Sequence, residues 1–497
     1  MLRITGKIYT GLIDPATTDA VLVSDDGLIA AVGDDAKRGD AREIVLGDRV
    51  ATPGFIDAHM HLEFIVQQLM HLALDEVRSL DELLERVAGR AKDHPIEKPL
   101  IGSAWDEADW PEPTIPTRET LDRVAPDHAV ALRRICGHLW VVNSKTLGLI
   151  AVRDDLTEAQ RERLKAVAAD GVLREDDINL ARPLTEPTRE ELAERLLGAM
   201  RHVLTFGATC IHDVGRIAEA AAALDEKTEL PCRLVLAVRP AQLDENALAG
   251  TSKRFSGRRI HPGPVKLFLD GSIGAQTAAV SDPFSDDPGN TGQLLWDEAE
   301  LEAAVERYHA AGLQVALHAI GDRAIDQALN VYEHVLARHP REDHRHRIEH
   351  LEIVRDEQIE RMARLGVIAS MQPNFVGRWQ GPGGLYAMRL GERRDALNPF
   401  RSILDAGVSL AFGSDGMPFG PLYGIRSAMN HATPGQSLSF VEALHAYTLA
   451  AAFAGRIDHL TGSVEVGKHA DLLILSADPT YHPHPTIANT LLSGRPT

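Results

Sequence analysis

Two histidines one residue apart close an apolar run near the start of the chain, in the stretch GFIDAHMHLEF at residues 54–64. His59 and His61 stand at positions i and i+2, and side chains with that spacing in a strand share one face. Two imidazoles that point the same way at a strand end form either half of a metal site or an unusual piece of core. The rest of the sequence decides between these two interpretations.

Other residues that could do similar chemistry follow later apolar segments. They are Lys266 in VKLFLDG, His318 in LQVALHAI, His350 in HRIEHLEI and Asp415 in VSLAFGSD. A single histidine at a strand end is more often structural, as we expect for His212 and His346. Imidazole and carboxylate ligands suit zinc first, with manganese and iron as further options. The joint pattern therefore favours a site for one or two divalent metal ions.

The apolar segments that carry these residues alternate with amphipathic helices. The predicted strands are 55–62, 208–214, 233–238, 265–271, 313–320, 346–353, 367–373 and 408–415. A helical stretch at 296–312 ends in a glycine that suits a C-cap. Eight buried strand–helix units are typical of a parallel (β/α)8 TIM-type barrel, whose carboxyl strand ends meet at one mouth. The predicted fold class is therefore α/β, with the candidate residues gathered at that mouth.

Both ends of the chain differ from its middle in predicted secondary structure. Residues 1–53 and 458–497 show short strands with turns, including a hairpin-type Asp-Gly pair. We predict that the two ends form one small β-sandwich domain and that residues 54–457 form the metal-dependent barrel. The stretch 72–200 is too long for a simple crossover between strands and carries its own helices, so we interpret it as an inserted cap.

The composition argues against several kinds of partner. The chain has 497 residues and a formal net charge of −20, which disfavours nucleic acid and anionic membranes because both need clustered lysine and arginine. No stretch reaches the ~20 apolar residues of a membrane span. Three cysteines lie far apart with no CxxC pair, a pattern that favours reduced, buried thiols in a cytoplasmic protein.

On these residues the chain resembles the metal-dependent amidohydrolase superfamily. The resemblance lies in the HxH of DAHMH, the lysine of VKLFLDGS, the histidines of ALHAIGD and RIEHLE, and the aspartate of GSDGM. The segments DGSIGAQTA, HAIGDRAID and CGHLWVVNS are similar to the YtcJ-like branch, which includes N-substituted formamide deformylases. One departure is Cys136 in RRICGH, where that branch leads us to expect an aspartate.

The resemblance implies a role for each residue of the predicted metal site. One metal would be bound by His59, His61 and Asp415, and a second metal by His318 and His350. Lys266 would bridge the two as a carbamate, because a lysine desolvated near cations has a depressed pKa and can capture carbon dioxide. A bridging water acidified to a pKa of about 7 would attack the substrate carbonyl, with Asp415 moving the proton to the leaving nitrogen.

The predicted substrate is a small N-substituted, formamide-like amide whose carbon–nitrogen bond is hydrolysed. Candidate substrate contacts are Trp105, His138, Asn143, Arg323 and Trp379. The tryptophans could instead pack the cap itself, and Arg323 could be a structural ion-pair partner. A homodimer is left open as the assembly state.

Two other functions remain open at this point. One is a heterocycle aminohydrolase or deaminase, in which the strand-4 lysine is typically absent and a glutamate lies beyond the strand-5 histidine. Here Lys266 is present and Ile320, Gly321 and Asp322 follow His318, which argues against it. The other is a non-catalytic regulatory protein on the same barrel. Such proteins usually lose ligands, whereas this chain keeps all six predicted ones.

Overall fold

The computed structural model describes residues 1–107, 110–135, 139–174, 177–186, 188–240, 243 and 256–497. These residues fall into two compact units, one of residues 1–63 with 195–497 and one of residues 64–194. Each unit has its own sheet structure and its own apolar core.

Strands and helices alternate along most of the described chain. The strands are β1 Leu2–Tyr9, β2 Thr17–Val23, β3 Ile29–Val32, β4 Arg42–Val45, β5 Val50–Pro53, β6 Phe55–Met60, β7 Leu72–Ala73, β8 Leu100–Trp105, β9 Val130–Arg134, β10 Leu139–Val142, β11 Val172–Arg174, β12 Ala208–Asp213, β13 Arg233–Val238, β14 Ile260–Phe268, β15 Val315–Ala319, β16 Arg347–His350, β17 Ile368–Met371, β18 Leu410–Phe412, β19 Leu472–Leu475, β20 Ile487–Leu492 and β21 Arg495–Pro496. The α-helices are α1 Leu62–Met70, α2 Leu80–Ala91, α3 Arg118–Val124, α4 Ser144–Ala151, α5 Glu158–Val167, α6 Ile178–Thr185, α7 Arg189–Thr205, α8 Ala218–Lys227, α9 Glu298–Ala310, α10 Asp322–Arg338, α11 Asp356–Leu365, α12 Pro373–Trp379, α13 Leu385–Leu390, α14 Phe400–Asp405, α15 Pro421–Met429, α16 Phe440–Ala446 and α17 Leu449–Ala454. None of the helices that the structure describes has the length and apolar character needed to cross a membrane.

The two ends of the chain meet in one sheet of eight strands. β1 pairs with β2 on one side and, on the other, first with β4 and then with β5. β5 also pairs with β19, which brings the carboxyl-terminal strands into the sheet. Ile4, Val21, Leu472 and Leu491 belong to its separate apolar core. The prediction that both chain ends build one small β domain is confirmed.

A second sheet in the same unit is the barrel. Its eight strands, β6 and β12 to β18, pair in chain order, and every pair is parallel. β18 also lies against β6, so the sheet forms a nearly closed barrel. Most of these strands are buried along their whole length, as expected for parallel strands covered by helices. The predicted (β/α)8 barrel is confirmed.

The helix predicted at 296–312 shows how the outer layer forms. α9 begins after Asp297, whose side chain accepts the N–H groups of Ala299 and Glu300 and so caps the helix. The chain leaves the helix through Gly312, which has φ +78°, a conformation that favours glycine. Leu301 and other apolar residues of α9 pack into the main barrel core. Each fully buried side chain of this size contributes about 1.5–3 kcal/mol.

The second compact unit contains residues 64–194. Its sheet has the order β11-β10-β9-β8-β7, with β7, β8 and β9 parallel and β10 antiparallel to both neighbours. Leu83, Leu100, Trp105 and Leu132 are among the residues of its main apolar cluster. The predicted insertion 72–200 starts and ends a few residues later than this unit. Its role as a cap stays a prediction.

Candidate active site

The carboxyl end of β6 brings two imidazoles to one carboxylate. The Nε2 atoms of His59 and His61 lie 3.7 Å and 3.4 Å from Asp415 Oδ1. One ligand atom from each of the three residues can be chosen so that all lie within 4.8 Å of one another. Ligands bound to zinc at about 2.0–2.2 Å in a tetrahedral arrangement lie at comparable separations. These three residues therefore form a candidate metal site.

His318 on β15 and His350 at the end of β16 lie beside this group. Their ring centroids are 4.4 Å apart, and the His350 ring is 4.7 Å from the ring of His59. His318 Nε2 donates to the carbonyl oxygen of Gly271 at 2.9 Å, so Nδ1 keeps its lone pair. His350 Nδ1 bonds to Gln372 Oε1 at 2.8 Å, which leaves Nε2 for a ligand. The structure thus brings all four predicted histidines together.

All four imidazoles are held in the neutral form that a metal ligand requires. Burial lowers the pKa of His61 and His318 to about 3. Burial also lowers the pKa of His59 and His350 well below the usual histidine value, and the Lys266 charge acts in the same direction.

Lys266 is a fully buried cation whose charge acts on all four of these histidines. Its Nζ has no hydrogen-bond partner among the described residues and lies 4.9 Å from the centroid of the Phe268 ring. Burial lowers the lysine pKa to about 8, although the carboxylates of Glu349 and Asp415 oppose this shift. A neutral amine is therefore far more accessible here than on an exposed lysine.

Asp415 has an unusual backbone as well as an unusual environment. Its φ is +54°, and the ligand candidate His350 has φ +77°. Non-glycine residues in this region carry strain, which is characteristic of functional sites. Burial raises the pKa of the Asp415 carboxyl to about 7, with Lys266 opposing the shift. Burial therefore makes the charged form of this carboxyl costly, and a cation beside it offsets that cost.

Sequence reasoning missed the residues that orient the imidazoles. Glu349 Oε2 lies 2.6 Å from His59 Nδ1, and Arg347 Nε lies 2.8 Å from Glu349 Oε1. Both side chains are completely buried. A buried charge needs a partner, so an arginine and a glutamate two residues apart in the short strand RIEH were a signal available in the sequence.

Two histidines expected to be structural have structural contacts. Arg347 Nη1 lies 3.2 Å from His212 Nδ1. His346 Nδ1 accepts the Val315 N–H at 3.0 Å, and its Nε2 is bonded to His309 Nδ1 at 2.8 Å.

The sequence profile of the amidohydrolase family matches residues 42–497. The chain belongs to the amidohydrolase family. It is 30% identical to YtcJ of Bacillus subtilis (strain 168), over 95% of this chain and 94% of YtcJ. It is 27% identical to an N-substituted formamide deformylase of Arthrobacter pascens, over 96% of this chain and 94% of that protein.

A solved structure of a metal-dependent hydrolase has the same fold. An uncharacterized metal-dependent hydrolase from Pyrococcus horikoshii superposes on this amidohydrolase with a TM-score of 0.78 and 28% sequence identity, covering 97% of this chain and 98% of that chain. The protein is therefore a hydrolase of a metal-dependent family, as the sequence resemblance predicted.

Two candidate substrate contacts of this amidohydrolase lie in the barrel unit. The Trp379 ring on α12 lies 4.7 Å from the ring of Phe375, which stacks parallel to His350 at 6.4 Å. The rings of Trp379 and Phe375, which we call the aromatic wall, therefore connect Trp379 to the predicted ligand His350. Arg323 lies in the first turn of α10 and is half-buried. No ion pair joins its side chain to any residue that the structure describes, and its substrate role stays a prediction.

The other three candidates belong to residues 64–194. Trp105 is fully buried in the core of that unit, with Trp110 at 6.2 Å. The Asn143 side chain accepts the N–H groups of Val130 and Thr146 and donates to the carbonyl oxygens of Ala125 and His128. These bonds give Asn143 a capping role at α4. His138, like Cys136, lies outside the described residues.

Proposed function

We propose that this amidohydrolase cleaves the carbon–nitrogen bond of a small N-substituted, formamide-like amide with the help of two divalent metal ions, zinc first. The main support is a set of buried atoms without hydrogen-bond partners among the described residues: His59 Nε2, Lys266 Nζ, His318 Nδ1 and Asp415 Oδ1. Leaving one such atom unsatisfied costs about 1–3 kcal/mol. Nitrogen and oxygen donors of this kind fit divalent metal binding.

The donors other than Lys266 divide into two groups. The first ligand group is His59, His61 and Asp415, and the second ligand group is His318 and His350. The close rings of His59 and His350 place the two groups side by side. We infer that each group holds one metal ion.

Lys266 supplies the missing link between the groups. The neutral amine adds to carbon dioxide, forming a nitrogen–carbon bond and releasing one proton, and the product is a carbamate whose single negative charge is shared by two oxygens. Burial favours this step because it lowers the pKa of the amine to about 8. An anion is also the form of this side chain that suits a site between two cations.

Asp415 is the proposed proton carrier. Bound divalent metal ions supply Lewis-acid activation of water and of a carbonyl at neutral pH. The Asp415 carboxylate accepts the proton of the attacking water and returns it to the leaving nitrogen. Such general acid–base catalysis contributes roughly 10²–10⁴ in rate.

The aromatic wall supports an apolar group on the substrate nitrogen. Phe375 lies face to face with His350, and Trp379 and Tyr386 continue the wall with ring centroids 6.1 Å apart. Burying an apolar group of side-chain size against such a surface contributes about 1.5–3 kcal/mol. The similarity to an N-substituted formamide deformylase supports the same substrate class.

A substrate panel tests the proposal. N-benzylformamide, formamide, a charged dipeptide and a heterocyclic amine are incubated with metal-loaded protein, and released acid and amine are measured. We expect N-benzylformamide to give the highest kcat/KM, chelation to abolish the reaction, and zinc or manganese to restore it. Full activity after removal of all metal contradicts the metal mechanism. Deamination of the heterocyclic amine alone favours the aminohydrolase.

A further inference from the structure

Three aspartates in or just beyond barrel strands are buried but take no part in the proposed chemistry. Asp57 on β6, Asp213 at the end of β12 and Asp270 just beyond β14 are 0%, 1% and 2% exposed. Burying a carboxylate is costly unless hydrogen bonds compensate for the lost water. Each of the three accepts backbone N–H groups, and in each case at least one donor is a predicted ligand or lies within two residues of one.

Asp57 joins the two chain segments that carry the first ligand group. Its Oδ1 accepts the N–H of His59 at 3.2 Å and the N–H of Ser414 at 3.0 Å. Its Oδ2 accepts the Ser414 hydroxyl at 2.5 Å. The same carboxylate therefore fixes the backbone of His59 and that of the residue before Asp415.

Asp213 acts on the other histidine of the first ligand group. Its Oδ2 accepts the N–H of Leu62 at 2.8 Å, and its Oδ1 accepts the N–H of Gly215 at 3.0 Å. Leu62 follows His61 directly and begins α1. Asp213 thus fixes the point at which the chain leaves the ligand and enters a helix.

Asp270 acts on the second ligand group. It accepts the N–H groups of Ile320 and Gly321, at 3.1 Å and 2.8 Å, which follow His318 after one residue. It also accepts the N–H of Ala279 at 2.9 Å. The next residue, Gly271, receives the Nε2 hydrogen bond of His318. Asp270 therefore controls both the backbone after His318 and the orientation of its ring.

We propose that these aspartates are positioning residues that set the affinities of the two metal ions separately. Asp57 and Asp213 act on the metal of the first ligand group, and Asp270 acts on the metal of the second. The inference rests on the proposed two-metal site. Replacement by asparagine turns one accepting oxygen into an amide that faces backbone N–H groups, so the adjacent ligand shifts. Loss of such outer contacts typically costs 10–100-fold in metal affinity.

Metal stoichiometry tests this directly. Wild-type protein, Asp57→Asn, Asp213→Asn and Asp270→Asn are loaded with zinc, titrated with a competing chelator and assayed for bound metal. We expect Asp270→Asn to bind its second zinc about 10–100-fold more weakly and to keep the first. Asp57→Asn and Asp213→Asn should weaken the other zinc.

The matched control is Asp225→Asn. Asp225 is also buried, and its Oδ2 accepts the Arg258 N–H at 2.7 Å, but that bond adjoins no predicted ligand. The control should bind zinc like wild type. Thermal melting of all metal-free variants separates an effect on metal affinity from an effect on folding. If Asp57→Asn does not fold, Asp213→Asn still tests the metal of the first ligand group.

The outcomes distinguish the inference from the function on which it rests. Wild-type protein that binds fewer than two zinc ions contradicts the proposed two-metal site. The inference is overturned if wild-type protein binds two zinc ions and each variant loses affinity for both ions equally or for neither. Metal-free Asp213→Asn and Asp270→Asn that melt far below metal-free Asp225→Asn also overturn it, because the aspartates would then serve the fold rather than the ligands.

Discussion

The backbone N–H of Asp415 donates to the carbonyl oxygen of His59 at 2.8 Å. This bond joins the loop after the last barrel strand to the first barrel strand, and both residues belong to the first ligand group. The same backbone hydrogen bond therefore links the two ends of the barrel sheet and holds Asp415 beside His59. A change that opens this junction should disturb the metal before it disturbs the rest of the fold.

Gly413 offers the most direct test of that junction. A Cβ at this position would lie 2.3 Å from the His59 nitrogen and 2.9 Å from Asp57 Oδ1. Gly413→Ala should therefore cost about 1–3 kcal/mol of stability and weaken metal binding. Gly289→Ala is the control, because its Cβ would meet no atom within 4 Å. Melting temperatures and zinc content of the two variants give the comparison. Equal melting temperatures and equal zinc content in the two variants would contradict the prediction, because the junction would then accommodate the added methyl group.

Lys266→Ala tests the proposed bridge. The variant removes the amine and leaves space between the two ligand groups, so both metal content and turnover should fall. Acetate or propionate should partly restore turnover because a short carboxylate can occupy that space. Unchanged zinc content and full activity in the variant would show that Lys266 is not a ligand. Electron density for a free amine pointing away from the site would argue for a single metal on the first ligand group.

The fold was largely predictable because most barrel strands are apolar, β-rich runs with a polar residue at or just beyond the carboxyl end. β14 shows the limit of that reasoning. The sequence predicts 265–271, whereas the strand runs Ile260–Phe268 and includes Pro262 and Pro264. Prolines usually interrupt strands because they lack an N–H, but here the pairing with β13 is irregular between Leu236 and Val238, so the missing donors are tolerated.

The positioning residues were less predictable for a different reason. His59 and its partner Glu349 are 290 residues apart in the chain. Local spacing reveals which side chains share a strand face, but it does not reveal which distant strand supplies a hydrogen-bond partner. Asn143 illustrates the converse, because its side chain caps α4 through the N–H of Thr146, a local contact that the sequence analysis did not predict. Its substrate contact stays a prediction.

Asp415→Asn separates proton transfer from metal binding. Asparagine is nearly the same size as aspartate, and the histidines remain, so the variant should fold and keep most of its metal. Turnover should fall by roughly 10²–10⁴ because an amide cannot accept a proton from water. Steady-state kinetics at full zinc occupancy provide the measurement. More than about a tenth of the wild-type rate would assign proton transfer to another group.

Acid should destabilise the histidine cluster formed by His309, His344 and His346. His346 Nδ1 accepts the Val315 N–H, and His344 Nδ1 accepts the His346 N–H, so both rings must stay unprotonated at these atoms. Burial lowers the pKa of all three, that of His346 well below its usual value. A depressed histidine pKa means that the unfolded chain binds more protons, so stability falls as the pH drops below about 6.5.

The measurement is the melting temperature of metal-free protein at pH 7.5 and pH 5.5. Wild type should lose more stability between these values than His346→Gln, which cannot take up that proton. One proton corresponds to about 1.4 kcal/mol per pH unit. Arg341, Arg456 and Asp343 lie around the cluster, and they keep their charge in both proteins at these pH values. An equal decrease in both would show that His346 does not contribute.

Trp379→Ala should change which amides the enzyme prefers. Trp379 is partly buried against the apolar cluster that contains Phe375 and Tyr386, and its loss removes a face that an N-benzyl group can cover. KM for N-benzylformamide should rise by roughly 10-fold, as about 1.5 kcal/mol of apolar burial is lost, while formamide is little affected. Trp379→Phe is the control and should retain most of the preference, since it keeps an aromatic ring. Parallel kinetics on both substrates give the result. An equal rise in KM for both amides would mean that Trp379 shapes the site without contacting the substituent on nitrogen.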